Sequence, residues 1–314
     1  MRPVQCDRCD RPAVIDRPYA RDHLCDPHLA ESVRDRFRRA MHRQLPRFRG
    51  GTVAVALSGG KDSAAALALA HAHFAARPNV ELVALTVDEG IRGYRPKTVR
   101  AAKKLTAALG VRHRIVRAET ALGTTTDLAA SRLAGTAPCS FCGVWRRQLL
   151  NRAAREEGAE TLVLGFNLDD IAQTVLMNVA RADIPRLGRM APHARRQDGL
   201  VPRIAPLSDV PEREVYQFAR SSGLPFDHAE CPYARLASRN VFRETVWRLE
   251  EALPGTRQAL LRSREAILTL LETAEPAGAP GRCSECGEPA TGSVCRACAY
   301  RRELAGPVMG TVAS

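Results

Sequence analysis

The sequence predicts an α/β protein: a parallel sheet with helices on its faces, carrying a small cysteine-bearing module at each end. Three observations predict it. Strand-like and helix-like stretches alternate over about residues 50–250, the pattern of parallel strands joined by crossover helices. A glycine turn, Ser58-Gly59-Gly60-Lys61-Asp62-Ser63, lies between the first of those strands and the helix after it. All ten cysteines fall into three groups, namely Cys6, Cys9 and Cys25, then Cys139, Cys142 and Cys231, then Cys283, Cys286, Cys295 and Cys298.

Taken in order, residues 1–30 are short and polar, with CxxC at Cys6 and Cys9, then Cys25 and His28. Residues 32–49 carry basic side chains at 34, 36, 38, 39, 43, 47 and 49 and read as a helix ending near Pro46. The middle segment reads as strand 52–57, helix 64–74, strand 81–87, helix 98–110, strand 112–118, helix 145–158, strand 161–167 and helix 169–180. Residues 211–223 begin with proline and end with glycine, as helices often do. Residues 181–206, rich in arginine and proline and without a period, read as a long loop. Residues 244–273 read as helical and 274–280 as a linker, from their proline, glycine and alanine. The expected division is therefore a metal-binding module at 1–30, a basic helical linker at 31–50, a nucleotide-binding catalytic domain at 51–250, helix and linker at 251–280, a second metal-binding module at 281–300 and a tail at 301–314.

A 45% hydrophobic composition over 314 residues is enough for a sizeable core. No run of ~18 uncharged apolar residues suggests a membrane span, and the start of the chain lacks the apolar stretch of a secretory signal. The expectation is a cytoplasmic protein, where clustered cysteines serve as metal ligands rather than disulfides. The formal charge of +13 favours a polyanionic partner such as a nucleic acid. Arginine supplies nearly all of it, the lysines being Lys61, Lys97, Lys103 and Lys104, and arginine abundance can also reflect genome composition.

The glycines of the 58–63 turn let the backbone approach an anion, and the helix that follows offers free N–H groups and the positive end of its dipole. The turn is neither a GxxxxGK[ST] loop nor a GxGxxG fingerprint. It resembles the SGGxDS loop of the PP-loop ATP pyrophosphatases, an adenine nucleotide alpha hydrolase-like, Rossmann-like fold whose members split ATP between the α and β phosphates and adenylylate a substrate oxygen. Three further stretches, residues 86–95 (TVDEGIRGYR), 138–147 (PCSFCGVWRR) and 165–170 (GFNLDD), resemble the tRNA 2-thiolation enzymes of the TtcA/TtuA type, closest to the 2-thiouridine branch. The resemblance extends over nearly the whole chain. It implies that Ser58, Gly59, Gly60, Asp62 and Ser63 bind the leaving pyrophosphate, with Asp62 helping to hold Mg2+. It further implies that Ala56, Thr86, Val87, Gly165 and Asp170 line the ATP site and that Asp170 is catalytic. A carboxylate stabilised at a helix N-terminus is the other reading of Asp170. The family often has histidine where Phe166 stands.

Cys139 and Cys142 form a CxxC that the end modules do not complete, and Cys231 stands 89 residues beyond Cys142. Three thiolates without an obvious fourth protein ligand suit a 4Fe-4S cluster with one open iron. In the resembled family that iron carries the sulfur to be transferred. A redox dithiol, a persulfide carrier on Cys139 or Cys142, and a merely buried Cys231 stay open as alternatives. Arg146, four residues after Cys142 where related enzymes carry lysine, is expected to act as a fixed cation on phosphate charge. Cys283, Cys286, Cys295 and Cys298 have the spacing of a four-thiolate zinc site; Cys6, Cys9, Cys25 and His28 offer three thiolates and an imidazole to a second zinc, with His23 as the rival to His28. The reaction these features imply is adenylylation of the 2-oxygen of a uridine in tRNA and its replacement by sulfide, with residues 34–49 and loop 181–203 gripping tRNA phosphates. The sulfur donor is expected to be a ubiquitin-like thiocarboxylate, with no membrane partner and a homodimer as the plausible assembly. A small metabolite as substrate, or a nucleic-acid-binding protein with an inactive core, are the competing readings.

Overall fold

The computed structural model describes residues 4–133, 135–188, 190, 197–272 and 281–306. Five parallel strands, β1 (Gly51–Ala56), β2 (Val80–Asp88), β3 (Arg112–Arg117), β4 (Thr161–Val163) and β5 (Arg203–Ile204), form one sheet in the order β3-β2-β1-β4-β5. β1 is central, pairing from Gly51↔Val80 to Ala56↔Leu85 on one side and from Val53↔Thr161 to Val55↔Val163 on the other. Val53, Ala54 and Val55 are all fully buried, because helices cover both faces and leave no side of the strand for water. The chain moves outward from β1 to β3 and then crosses back to β4. That reversal opens a crevice at the carboxyl ends of β1 and β4, where open α/β sheets take their ligands.

The parallel sheet expected from the sequence is present, with local differences that have physical causes. β5 lies within the stretch read as a long loop, and the short helix Ile184–Gly188 precedes it. Two paired residues are too few to show a period. Arg189 and residues 191–196 of that loop, and the expected linker 274–280, lie outside the described residues. The helical stretch 244–273 is in fact two helices, Arg239–Ala252 and Thr256–Glu272. They part at Leu253-Pro254-Gly255, where proline has no N–H to give and Gly255 takes φ +99°. The basic helix runs Asp26–Gln44, starting earlier than residue 32, with Pro27 in its first turn. The helix expected at 145–158 runs Pro138–Glu156, so Cys139 and Cys142 sit in its first turns. Helices Ala118–Leu122 and Thr126–Arg132 have no counterpart in the sequence reading.

Both end modules are packed into the body. Cys6, Ile15, Leu24 and Cys25 share one core with Leu29, Val33, Phe37 and Met41 of the basic helix and with Val53 and Val55 of β1. At the other end, Ala297, Tyr300 and Leu304 pack on Phe141, Cys142, Trp145 and Leu149 of the helix Pro138–Glu156. Trp145 Nε1 donates to the Ala297 carbonyl at 3.3 Å, and Arg155 pairs with Glu288 at 2.8 Å.

The first module is also fixed by charge. The Glu214 carboxylate, 1% exposed, accepts from Arg17, Arg36 and the Tyr19 hydroxyl. This alters the expected role of residues 34–49. Arg36 is committed to Glu214 inside the structure and is not free for phosphates, whereas Arg38 and Arg43 stay at the surface in pairs with Asp35 and Asp209. Removing one partner of a buried ion network leaves the other charges uncompensated, at a cost of about 3–5 kcal/mol. Glu214→Ala is therefore expected to lower the stability by that order in urea unfolding. Glu31→Ala, which breaks the exposed Arg8–Glu31 pair, should cost under about 1 kcal/mol. Equal effects of the two substitutions would contradict the assignment.

Candidate active site at the sheet's carboxyl edge

The turn between β1 and the helix Lys61–Phe74 is held by its own serines. Ser63 Oγ accepts from the Ser58 N–H at 3.1 Å, lies 3.0 Å from Ser58 Oγ and donates to the Gly60 carbonyl at 3.0 Å. Gly60 caps the helix without any side-chain hydrogen bond, which leaves its first N–H groups available to an anion. Gly59 takes φ +89°, and a Cβ there would stand 2.0 Å from the Thr98 carbonyl. Gly165 is excluded from bearing a side chain for a different reason, since its Cβ would meet Ser63 N at 2.9 Å. Gly59 lets the turn pass against Thr98 of the helix Arg95–Leu109, and Gly165 lets the chain after β4 pass against the head of the helix Lys61–Phe74.

Carboxylates gather around this turn. Asp62 accepts from Lys61 Nζ at 2.9 Å and from Asn167 Nδ2 at 3.0 Å, and Lys61 also reaches Glu212 at 2.7 Å. Burial alone would lower the Lys61 ammonium, but Asp62 and Glu212 outweigh it and hold it up. Asn167 and Asp170 form a capping box at the start of the helix Leu168–Ala180. One Asp170 oxygen serves that cap, and the other faces Arg239 at 3.4 Å. Burial first, and then the charge of Asp62, push the Asp170 carboxyl up to about 6. Two neighbouring carboxylates, hard oxygen donors, fit a divalent cation shared with phosphates. Thr86 and Val87 are buried at the end of β2, the Thr86 hydroxyl donating to the Leu57 carbonyl at 2.6 Å. Ala56 ends β1 beside them, and Phe166 is exposed.

The middle three cysteines come together from the helix Pro138–Glu156 and the turn before Ala234–Leu236. Cys139 Sγ lies 3.7 Å from the Tyr233 carbonyl, and Arg146 Nη2 donates to Cys142 Sγ at 3.4 Å. Burial, followed by the nearby charges of Cys142 and Cys139, raises the Cys231 thiol. The Tyr233 hydroxyl donates to Asp127 at 2.8 Å, and the Asp227 N–H donates to the Gly59 carbonyl at 2.9 Å. The strand of chain that brings Cys231 is thus fastened to the phosphate turn itself. Arg146, expected from the sequence to face phosphate, lies instead against Glu89 at 2.5 Å and against the Cys142 sulfur.

The three cysteine groups differ in spacing. In each end module all four ligand atoms lie within 4.8 Å of one another, the groups being Cys6, Cys9, Cys25 and His28, and Cys283, Cys286, Cys295 and Cys298. Cys9 and Cys25 sulfurs are 3.7 Å apart, as are those of Cys286 and Cys295. A tetrahedron with zinc–sulfur bonds of about 2.3 Å has edges of about 3.8 Å. His23 is tied to Asp7 and Asp16 instead. Among the described residues, Cys139, Cys142 and Cys231 form no such tight group. Ligands of a cube of iron and sulfur bind different corners and must stand farther apart than ligands of one ion. Soft thiolates, backed by a guanidinium, fit that group.

Residues that carried no role in the sequence reading are prominent here. Glu89 and Arg95 are buried at 4% and 2% exposure and pair at 2.8 Å, while Arg95 Nη1 donates to the Ser58 carbonyl at 2.9 Å. Both lie in the stretch 86–95 already singled out, just past the end of β2 and at the start of the next helix.

Comparison with known proteins gives two family matches: a PP-loop domain over residues 30–250, and the N-terminal LIM domain of the 2-thiouridine synthetase TtuA over residues 5–30. The chain is 38% identical to the tRNA 2-thiolation protein NcsA of Haloferax volcanii over 314 aligned positions, covering 94% of this chain and 97% of that one. It is 34% identical to the cytoplasmic tRNA 2-thiolation protein 1 of Chlamydomonas reinhardtii, covering 95% of this chain and 84% of the relative. The structure of the U34-tRNA thiolase NcsA from Methanococcus maripaludis with its [4Fe-4S] cluster superposes with a TM-score of 0.83 at 33% identity, covering 97% of each chain.

The two glycines of the turn make a contrast that binding experiments resolve. Gly59→Ala should weaken inorganic pyrophosphate at least tenfold, a loss of about 1.4 kcal/mol, because the new methyl collides with backbone. Gly60→Ala, at φ −88° with the Ser58 hydroxyl 3.6 Å from its Cβ, should bind much as the parent does. Similar losses in both would show that the turn does not hold the anion.

Proposed function

Because the chain belongs to the PP-loop family of tRNA 2-thiolation proteins, we propose that it is an ATP-dependent tRNA sulfurtransferase that converts a uridine to 2-thiouridine. The observation that carries the reading is the joining of a phosphate-binding turn and a three-cysteine centre at one edge of the sheet, through Asp227 and Gly59.

The chain's own residues prepare the first displacement. Backbone N–H groups of the 58–63 turn and the hydroxyls of Ser58 and Ser63 donate to the β and γ phosphates, where the helix dipole favours negative charge. Asp62 and Asp170 are the carboxylates that would hold Mg2+, which would neutralise phosphate charge there. The uracil 2-oxygen attacks the α-phosphorus, the bond to the bridging oxygen breaks and pyrophosphate leaves. The carbonyl oxygen, a poor leaving group, has become part of an adenylyl ester. Cys139, Cys142 and Cys231 hold a 4Fe-4S cluster, which when bound supplies sulfide beside the activated base. The exchange ends with carbon 2 bonded to sulfur and AMP released with the former oxygen. Arg146 holds positive charge at the Cys142 sulfur, an electrostatic role suited to a group that keeps its proton.

Zinc in each end module fits the 3.7 Å sulfur spacings and would organise segments too small for a core of their own. A cytoplasmic location agrees with that of the cytoplasmic tRNA 2-thiolation protein 1 of Chlamydomonas reinhardtii, and no helix of the described residues is long and apolar enough to cross a membrane. The donor is assigned as a ubiquitin-like thiocarboxylate protein and the assembly as a homodimer, on the resemblance alone.

Nucleoside analysis of tRNA from cells lacking the chain tests the reading. One 2-thiolated uridine should disappear, return with the parent chain and stay absent with Cys231→Ala. An unchanged tRNA profile, with a thiolated metabolite missing instead, would overturn it. The pH dependence follows from Asp170. Its carboxyl is raised to about 6, so it takes up a proton as pH falls through 6 and loses the charge that attracts Mg2+. Mg·ATP affinity should fall between pH 7 and 5, and Asp170→Asn should bind weakly with that dependence flattened. A steep acid loss that persists in Asp170→Asn would assign the titration elsewhere.

A further inference from the structure

Glu89 stands between the two halves of the proposed site, and neither the phosphate turn nor the cysteine centre accounts for it. Its carboxylate is 4% exposed. One oxygen lies 2.8 Å from Arg95 Nε and the other 2.5 Å from Arg146 Nε. Arg95 carries the contact onward, donating to the Ser58 carbonyl at 2.9 Å and to the Val87 carbonyl. Arg146 carries it the other way, to Cys142 Sγ at 3.4 Å. The result is an unbroken series: phosphate turn, Arg95, Glu89, Arg146, cysteine centre.

We propose that Glu89 is a positioning residue that couples nucleotide binding at residues 58–63 to the electrostatic state of the cluster held by Cys139, Cys142 and Cys231. The inference rests on the cluster reading given above. Three features distinguish this series from an ordinary buried ion pair. Its two ends are atoms of the two reacting halves, a backbone carbonyl of the turn and a ligand sulfur. Its members are charges in direct contact, Arg146 hydrogen-bonded to Glu89 and Arg95 held to it by charge alone, so a shift at one guanidinium changes the field at the carboxylate between them. Its charge is unbalanced, because two guanidiniums share one carboxylate, and the excess positive charge faces the thiolates. The Arg95 guanidinium is 2% exposed and cannot release its proton. Glu89 therefore supplies the counter-charge to Arg95, whose hydrogen bonds to the Ser58 and Val87 carbonyls and the Thr98 hydroxyl hold it under the turn.

Phosphate arriving at the turn pulls on the Ser58 backbone and on Arg95, and the displacement reaches Arg146 and the sulfur through Glu89. Coupling of this kind is reciprocal: if nucleotide changes the cluster's ease of reduction, the reduction state changes nucleotide affinity by the same factor. Cluster potential responds to net charge and to hydrogen bonds at the sulfurs, which are the two quantities that Glu89 sets through Arg146.

The test uses the full chain, parent and Glu89→Gln, with two measurements. In iron-free protein, Mg·ATP affinity is read by calorimetry. In anaerobically reconstituted protein, the midpoint potential of the cluster is read with and without Mg·ATP. Glu89→Gln should weaken Mg·ATP at least about fivefold, the lower end of common coupling strengths. It should also raise the potential, since a negative charge has been removed, and shrink the shift that nucleotide causes in the parent. Arg146→Lys, which keeps a cation beside Glu89, should lose most of that shift. A parent protein whose potential ignores Mg·ATP would overturn the proposal, as would a Glu89→Gln protein with parental affinity and shift. Should Glu89→Gln fail to fold, Arg146→Lys alone decides, with a parental shift counting against the proposal. A parent protein that binds no iron refutes the cluster reading instead, and the affinity measurement then still tests the link from Glu89 to the turn.

Discussion

The close packing of backbone around the head of the helix Lys61–Phe74 is the constraint on which the rest of the site depends. Gly59 must lie against the Thr98 carbonyl and Gly165 against the Ser63 and Asp62 backbone. With no side chain at either position, the helix start is left facing the crevice, Asn167 comes within reach of Asp62, and Asp170 is drawn in beside it. The Gly59 carbonyl, turned outward by the same conformation, receives the Asp227 N–H and so fixes the segment that ends at Cys231. One backbone geometry thereby sets the phosphate turn, the carboxylates and one of the three central thiols.

The two end modules depend on that core and support it in return. The C-terminal module lies directly behind the helix that bears Cys139 and Cys142, with Tyr300 stacked edge-on against Phe141 and Trp145. The N-terminal module is sealed by Glu214 and shares the core under β1. Two tight ligand groups at the ends and a looser thiol group at the centre divide the ten cysteines by spacing.

Much of this was legible in the sequence, and the reasons for the remainder are physical. Strands β1 and β2 carry enough consecutive apolar or β-branched residues to declare themselves, and the glycine turn announces its chemistry by the residues an anion requires. β5 does not, because two paired residues inside a proline- and arginine-rich stretch have no period. The role of Arg36 was misread for a related reason: a charge run predicts solvent, but Glu214, 178 residues away, buries that guanidinium. Arg146 was read as a cation facing phosphate, but its partner, Glu89, follows β2 while Arg146 lies on the helix Pro138–Glu156, and only the fold brings the two together. Long-range ion pairs leave almost no local signal, whereas ligand spacing within a single turn does.

The most direct test is the metal content of protein purified without oxygen. The account predicts about four iron and about two zinc atoms per chain, with Cys231→Ser losing the iron alone and Cys283→Ser losing one zinc. Zinc bound at all three cysteine groups, with iron absent from protein that still thiolates tRNA, would contradict it.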